Sequence, residues 1–340
     1  MLKLIVVLFF ARTWGFPRRV IRQRHLHTSV EGFSELVERY DGFIIDQWGV
    51  LHNGKIPYDG VLDCLSFLNS SHKALILLSN SSKRKESSFK GLEKVGIDPR
   101  IFCDIITSGE LGYNLIKGLG FTELVNGSHP CRLSKAFVIG NSDDDIEYMN
   151  SADCDLAPPE EADFAIARGT FSIVEHVNRV KNYNTAEELM AVIDPWLERC
   201  KAAGLPLLVT NPDFYRPGSG APMPGQIGER YERLGGCVYY VGKPYAPVYE
   251  ACFKALEIAL GSKGNLDTTR IAGVGDSLDH DILGADRAGI ASIWTANGVH
   301  CTEMGVQDEG SPILPNDTIL SDMFEKYGIR PSHTLASFRW

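Results

Sequence analysis

The stretch Asp-Gly-Phe-Ile-Ile-Asp-Gln-Trp-Gly-Val at residues 41–50 carries the strongest signal in the sequence. Its apolar residues 43–45 precede a single carboxylate, Asp46, and Gly49 then begins a loop. Open α/β folds bind ligands at the carboxyl ends of parallel strands, which is where this pattern places Asp46. A strand followed by an ordinary Asx turn has the same local sequence, so the other strand ends must decide between the two interpretations.

A second apolar run, residues 74–78, ends in small hydroxyl and amide residues, which are Ser79, Asn80, Ser81 and Ser82. Hydroxyls and successive backbone N–H groups at a strand end can hold phosphate oxygens. The same residues would also cap a helix that begins near Lys83. The segment therefore becomes a candidate phosphate site only together with charged groups from other strand ends.

Two later segments supply such charged groups. Pro244 stops a predicted strand and holds Lys243 at its end, where the ammonium can neutralise phosphate or crowded carboxylates. A further apolar run ends in Asp276, and Asp281 follows within five residues. Carboxylates gathered near Asp46 repel one another unless a cation lies between them. A few hard oxygen ligands suit Mg²⁺, which keeps several waters and takes one or two carboxylates plus substrate phosphate.

Other polar clusters are assigned to the surface or to turns. Asp279 is expected to favour a helix N-terminus rather than to bind a ligand. The acidic run at 143–145 is predicted to be a solvated turn and helix start. The segment Gly273-Val274-Gly275 is a weak dinucleotide signal, because Leu278 stands where a third small residue is required.

In order and type, these segments resemble the four motifs of the haloacid dehalogenase-like (HAD) hydrolases, most closely the class IIA branch with a C2-type cap. The matching stretches are DQWGVLHNG (46–54), LLSNSS (77–82), GKP (242–244) and GDSLDHDI (275–282). The resemblance covers roughly residues 40 to 300 and implies a Mg²⁺-dependent phosphatase of a small phosphorylated metabolite.

The resemblance also implies roles for individual residues. Asp46 would attack phosphorus and form an aspartyl-phosphate, and Lys243 would neutralise charge on Asp46 and the phosphate. The phosphate and substrate would be held by Ser79, Asn80, Ser81, Asn211, Asp213 and Lys243. The metal site would consist of the Asp46 carboxylate, the Trp48 backbone carbonyl and the Asp276 carboxylate as Mg²⁺ ligands, with Asp281 positioning the metal-bound waters.

One position departs from the family pattern. Phosphatases of this type have a second Asp two residues after the nucleophile, where this chain has Trp48. Loss of a general acid and base costs about 10²–10⁴ in rate. His52, His280 or a substrate group could take its place. Two alternatives to a phosphatase therefore remain, a catalytically weak or inactive phospho-ligand-binding protein and a hydrolase of carbon–phosphorus or carbon–halogen bonds.

Alternating apolar strands and amphipathic helices predict an α/β fold with a Rossmann-like, doubly wound parallel sheet, and the resemblance adds an inserted α/β cap. Strands are expected at 42–46, 74–79, 105–107, 136–140, 164–167, 205–210, 239–241 and 291–295. Helices are expected at 33–40, 61–68, 82–94, 110–117, 185–203 and 317–327. The predicted domains are a presequence at 1–30, a catalytic core at 31–119 and 237–340, and a cap at 120–236. The tail at 331–340 is expected to be loosely held.

The leader and the charge of the chain suggest its location and partners. Six basic residues and no acidic residue precede Glu31, which predicts a mitochondrial transit peptide, with a chloroplast or secretory signal as alternatives. The formal net charge is −9 despite this basic leader, which argues against nucleic acid. The apolar run at 4–10 is too short to span a membrane. The expected partners are a small phosphorylated metabolite and a second copy of the chain, bound through the cap.

Overall fold

A computed structural model describes residues 27–126, 132–306 and 308–340. The strands in these ranges are β1 (Thr28–Ser29), β2 (Gly42–Ile45), β3 (Ala74–Ser79), β4 (Asp104–Thr107), β5 (Lys135–Gly140), β6 (Asp155–Leu156), β7 (Phe164–Ala167), β8 (Ser172–His176), β9 (Arg179–Asn182), β10 (Leu207–Val209), β11 (Val238–Tyr240), β12 (Ile271–Gly275), β13 (Ala291–Thr295) and β14 (His333–Leu335).

The α-helices in the same ranges are α1 (Val61–Ser70), α2 (Lys85–Val95), α3 (Ser108–Lys117), α4 (Gly120–Asn126), α5 (Asp145–Ser151), α6 (Ala186–Met190), α7 (Asp194–Ala202), α8 (Pro224–Arg233), α9 (Ala246–Leu260), α10 (Leu283–Ala288) and α11 (Asp317–Tyr327). Short 3₁₀ turns occur at Phe33–Glu35, Pro99–Ile101 and Thr268–Arg270, and a π-helical turn occurs at Leu278–Ile282. None of these helices combines the length and the apolar character needed to cross a bilayer.

The chain divides into two compact units. The first unit contains the described residues up to Ser79 together with Lys85–Ile106 and Lys243–Trp340. The second unit contains Asn80–Arg84 and Thr107–Gly242. The boundaries of these units differ from the predicted limits of the core and the cap. The predicted domain limits therefore stay a prediction.

The first unit is built on a seven-stranded sheet in the order β1-β14-β13-β12-β2-β3-β4. The central strands β12, β2 and β3 run parallel, and Ile45 lies opposite both Val274 and Leu77. Apart from Ser79, their residues are apolar or glycine and are buried, as expected for strands covered on both faces. The parallel register brings the residues that follow β2 and β12 to the same edge of the sheet. The predicted α/β fold class is confirmed.

The second unit has its own sheet, in the order β11-β10-β7-β5-β8-β9, with β6 beside β5. The strands β5, β7, β10 and β11 pair in parallel, whereas β8 and β9 form an antiparallel hairpin. The hairpin was not expected from the sequence. The strand before Lys243, β11, pairs with β10 in this sheet, so it does not belong to the sheet that holds Asp46.

The C-terminal tail is part of the first sheet, so the expectation of a loosely held tail is wrong. Strand β14 pairs with β13 on one side and with β1 on the other. Phe338 is buried, and the terminal Trp340 stacks on Phe67 with ring centroids 4.8 Å apart. Backbone pairing and aromatic packing together hold this segment in place.

Residues 27–30 also belong to the folded first unit, although the predicted presequence included them. The Thr28 N–H donates to the Ser332 carbonyl at 3.1 Å, and the Val30 N–H donates to the Thr334 carbonyl at 3.0 Å. His27 packs against Phe324 with ring centroids 5.0 Å apart. Residues 1–26 of the predicted presequence lie outside the described residues.

The acidic run at 143–145 is only partly solvated, which corrects the prediction of a solvated turn. Asp145 is buried and accepts a hydrogen bond from Arg168 at 2.6 Å. The Arg168 side chain is itself fully buried and also contacts Asp144 at 3.1 Å. A buried guanidinium requires such partners, because an unpaired buried charge is strongly destabilising. The helix start in this prediction agrees with α5.

Candidate active site

Three buried carboxylates meet at the edge of the first sheet. Asp46 follows β2, Asp276 follows β12, and Asp281 lies in the π-helical turn. Each of the three offers one oxygen, and these oxygens all lie within 4.8 Å of one another. The sequence predicted that these three side chains would converge, and the structure brings them together.

Small residues and backbone donors fix the position of Asp276. A Cβ atom at Gly49 would lie 1.9 Å from the Asp276 Oδ2 atom, and Gly49 has a φ of +83°, which L side chains rarely adopt. A Cβ at Gly298 would also approach Asp276, at 2.3 Å from its Cβ. The Val299 N–H donates to Asp276 Oδ2 at 2.8 Å. Two loops therefore close tightly around this carboxylate.

The π-helical turn positions Asp281. The N–H groups of Asp281 and Ile282 both donate to the Ser277 carbonyl, at 3.0 and 3.1 Å. The Ser277 N–H in turn donates to Asp281 Oδ2 at 3.1 Å, and the Tyr249 hydroxyl donates to the Asp281 carbonyl at 3.3 Å. Single π-helical turns are frequent at functional sites, and this one directs a carboxylate toward Asp46 and Asp276.

Lys243 is the cation that accompanies the three carboxylates in the first unit. Its ammonium forms ion pairs with Asp46 and with Asp281, the latter at 2.8 Å, and it also donates to the Leu78 carbonyl at 3.4 Å. The side chain is only 4 % exposed. Burial acts to lower the pKa of Lys243, but the two carboxylates outweigh it and hold that pKa well above its ordinary value.

The carboxylates themselves are short of positive charge. Burial raises the pKa of Asp46 to about 7, against the opposing effect of Lys243 and with a further rise from Asp281. Burial, followed by the charges of Asp46 and Asp281, also raises the pKa of Asp276 well above its ordinary value. A divalent cation would relieve this repulsion, and three carboxylates are the hard oxygen donors that Mg²⁺ prefers. The donor set and its burial thus fit a Mg²⁺ ion.

Trp48 lies on the loop that follows Asp46, and the residue is 45 % exposed. The ring contacts His52 edge-on, with centroids 5.7 Å apart. A Cβ at Gly54 would lie 2.2 Å from the indole, so only glycine fits beneath the ring. The proposed metal-binding role of the Trp48 carbonyl stays a prediction.

The two histidines considered as substitutes for the missing acid make structural contacts. His52 is buried, its Nδ1 accepts the Gly54 N–H at 2.9 Å, and its Nε2 lies 3.1 Å from the Gln47 amide. Burial lowers the pKa of His52 to about 4, so it is neutral at pH 7. The His280 Nδ1 lies 3.0 Å from the Ser277 hydroxyl. These contacts favour roles in holding the two loops over proton transfer.

The predicted phosphate and substrate residues fall into both units. Ser79 closes β3 in the first unit, whereas Asn80 and Ser81 lie in the second. Within the second unit, the Asn80 amide donates to Asp213 at 2.8 Å, and the Asp213 N–H donates to the Asn211 side chain at 3.0 Å. The structure thus joins Asn80, Asn211 and Asp213 into one polar cluster. The binding roles of these residues stay predictions.

The loop that follows β13 was not predicted as part of the site. This loop supplies Gly298 and Val299 to Asp276, as well as His300, whose Nε2 accepts the Leu278 N–H at 3.1 Å. The His300 Nδ1 lies 3.2 Å from the Glu303 carboxylate. The pattern used for the other segments, an apolar strand that ends in small and polar residues, also occurs here as Thr295-Ala296-Asn297-Gly298 and could have identified it.

Comparison with known proteins agrees with this geometry. A family model described as haloacid dehalogenase-like hydrolase matches residues 43–153, and a second, described as HAD-hydrolase-like, matches residues 240–322. The chain belongs to the haloacid dehalogenase-like hydrolases. The predicted membership of this family is confirmed, and the chain is accordingly a hydrolase.

Individual relatives of this HAD-like hydrolase are distant but cover most of its length. It is 24 % identical to a 4-nitrophenylphosphatase of Schizosaccharomyces pombe, over 85 % of this chain and 94 % of that protein. It is 22 % identical to phosphoglycolate phosphatase 2 of Arabidopsis thaliana, over 85 % and 93 % of the two chains. A solved haloacid dehalogenase-like hydrolase from Brucella suis is 24 % identical and superimposes with a TM-score of 0.68, over 91 % and 99 % of the two chains.

Proposed function

We propose that this HAD-like hydrolase is a Mg²⁺-dependent phosphatase of a small phosphorylated metabolite, acting through an aspartyl-phosphate on Asp46. The observation that carries the proposal is the convergence of three buried carboxylates and one buried lysine at the tips of the first sheet. The names of the two curated relatives, a 4-nitrophenylphosphatase and a phosphoglycolate phosphatase, support the same reaction class.

The chemistry follows from the placement of these side chains. One Asp46 oxygen attacks phosphorus, while Lys243 offsets the negative charge that gathers between the carboxylate and the phosphoryl group. Asp46, Asp276 and Asp281 would hold Mg²⁺, which when bound polarises a phosphoryl oxygen as a Lewis acid. Phosphoryl transfer depends mainly on positioning and charge stabilisation, and buried groups fixed by backbone donors provide both.

The proposal is tested by phosphate release from a panel of phosphate monoesters with and without Mg²⁺. We expect release that requires Mg²⁺ and that is abolished in Asp46→Asn, which keeps the shape of the side chain but removes the nucleophile. Asp279→Asn is the matched control, because Asp279 is an exposed acid of the same segment that lies outside the carboxylate cluster. Equal release by the protein and its Asp46→Asn variant would refute the proposal.

A second candidate function is that of a phospho-ligand-binding protein with little or no turnover. The observation that favours it is Trp48, which places an indole where a phosphatase of this type carries its acid and base. Ligand binding by calorimetry without phosphate release in the same panel would support this function over the first.

We further propose that the chain acts in the mitochondrion, as its basic leader suggests. The pairing of residues 28–30 with the tail favours removal of any presequence before Thr28, because later cleavage would delete β1 in part or whole. Import into isolated mitochondria, followed by sequencing of the mature N-terminus, tests both points.

A second copy bound through the cap is proposed as the protein partner, and light scattering of the purified chain tests it.

A further inference from the structure

We propose that the substrates turned over efficiently are phosphorylated compounds whose leaving group is a weak base, such as aryl phosphates, acyl phosphates or phosphoric anhydrides, and not simple alkyl phosphates. This inference rests on the proposed phosphatase function and specifies its substrate class. It follows from the contacts that the side chains around Asp46 already make.

The side chain at the sequence position of the family's general acid cannot protonate a leaving group. Trp48 lies two residues after the nucleophile and is partly exposed, but an indole has one N–H that does not ionise and no acceptor. Its ring is held over Gly54 and against His52, so the loop is built around the indole. The position therefore supplies an apolar surface in place of a proton donor.

The other polar side chains described near Asp46 in the first unit are held by different partners. Lys243 is shared between Asp46 and Asp281, and Asp276 accepts the Val299 N–H. His52 uses one ring nitrogen for the Gly54 N–H and the other for the Gln47 amide. The cluster can thus hold a cation and a phosphoryl group, yet none of these contacts leaves an acid directed at a leaving oxygen.

The absence of such an acid affects the step in which the bond to the leaving group breaks. An Asp46 oxygen forms a bond to phosphorus, the bond from phosphorus to the leaving oxygen breaks, and the leaving group keeps the electron pair. Without a proton donor it departs as an anion and takes its proton from water afterwards. A weakly basic oxygen can leave in this way, whereas an alkoxide requires the acid that is worth about 10²–10⁴ in rate.

Water then attacks the aspartyl-phosphate, the bond from phosphorus to Asp46 breaks, and the carboxylate recovers its electron pair. One proton of the attacking water passes to solvent or to the released phosphate. This second step is the same for every substrate, because the leaving group has already departed. The ratio kcat/KM reports the first step and therefore carries the dependence on the leaving group.

The test measures kcat/KM for phosphate esters of rising leaving-group basicity, from 4-nitrophenyl phosphate through phenyl phosphate to an alkyl phosphate, in the presence of Mg²⁺. We expect a steep fall along this series for the protein as it is. In Trp48→Asp we expect kcat/KM for the alkyl phosphate to rise by about 10²-fold or more, which would flatten the series. Trp48→Asn frees the same space without adding an acid, so its series should stay steep.

The outcomes separate this inference from the proposed function. Similar kcat/KM values for aryl and alkyl phosphates, measured on the unaltered protein, would overturn the inference and leave the phosphatase intact. Equal gains in Trp48→Asp and Trp48→Asn would also overturn it, because space rather than a proton would then be limiting. Absence of Mg²⁺-dependent release from every ester would overturn the phosphatase and the inference together. The first comparison needs no variant, so the test holds even if Trp48→Asp fails to fold.

Discussion

Replacing Lys243 by methionine isolates the role of charge in the buried cluster. Methionine keeps a flexible side chain of similar length but removes the ammonium that pairs with Asp46 and Asp281. Both carboxylates would then be buried without their cation. We expect the variant to be less stable than the unaltered protein when Mg²⁺ is absent, and to a degree that depends on pH.

The size and sign of the effect follow from the burial of the pair. Removing one partner of a buried ion pair costs about 3–5 kcal/mol, and Lys243 is 4 % exposed and serves two carboxylates. The pKa of Asp46 is about 7 even with Lys243 present, and it would rise further without the ammonium. When the pKa of a carboxyl is higher in the folded than in the unfolded state, the free energy of unfolding falls as pH rises from the unfolded-state pKa through the folded-state pKa. The deficit should therefore be larger at pH 8 than at pH 5.

The assay is urea unfolding of both proteins in EDTA at pH 5 and pH 8, followed by tryptophan fluorescence and circular dichroism. Lys83→Met is the matched control, because Lys83 is 38 % exposed and pairs with the exposed Asp143. Surface pairs of this kind contribute about 0–1 kcal/mol. A loss for Lys243→Met that is no larger than that of Lys83→Met, or that is equal at both pH values, would refute the reasoning.

Further predictions concern the metal, the loop after β13 and the N-terminal strand. Mg²⁺ should raise the thermal unfolding midpoint more at pH 8 than at pH 5, because protons compete for the carboxylates at the lower pH. Asp276→Asn should remove most of the Mg²⁺-induced rise in the midpoint, and an unchanged rise in this variant would argue against the site. His300→Gln should weaken Mg²⁺ binding by about 10- to 100-fold, measured by calorimetry, because it releases the two loops around Asp276. His333 is also buried, and His333→Gln should leave the Mg²⁺ affinity unchanged. Deletion through residue 30 should lower the thermal midpoint relative to deletion through residue 26, because it removes β1 and its hydrogen bonds to the tail; equal midpoints would contradict the pairing.

Apolar runs predicted the central part of the fold and the candidate site well. Strands β2 and β7 are continuous apolar segments and β3 is apolar up to its last residue, a pattern typical of strands buried on both faces. Once the strands are parallel, the residues that follow them must meet at one edge. This rule was enough to bring Asp46 and Asp276 together before the structure was known.

Elements without such a local signal were missed. Strand β9 (Arg179–Asn182) is exposed along its whole length, so its pairing with β8 leaves no apolar pattern in the sequence. The helix expected at 185–203 is two helices, because Pro195 fits the first turn of a new helix and disfavours the interior of a long one. The short strand β14 is stable only through its two neighbours, and these lie far away in the sequence.

Ion pairs between residues distant in the sequence could not be predicted from local patterns either. The acidic run at 143–145 reads as a surface segment, and only the folded chain shows that Arg168, 23 residues beyond Asp145, turns inward to meet it. Likewise, the strand before Lys243 was expected in the catalytic core, because the predicted core resumes at residue 237. Its actual partner is β10, and partner choice depends on tertiary contacts that a single strand does not encode.

The ion pair between Asp46 and Lys243 joins residues that are 197 positions apart in the sequence. The segments of the second unit, Asn80–Arg84 and Thr107–Gly242, lie between these two positions along the chain. At typical synthesis rates, a ribosome adds Asp46 about 10–40 s before it adds Lys243. During that interval the emerging chain carries β2 and β3 without β12, so apolar strand edges are open to unwanted association. We therefore expect chaperone dependence to concentrate in nascent chains that end before β12, and to decline once the last segment has been made.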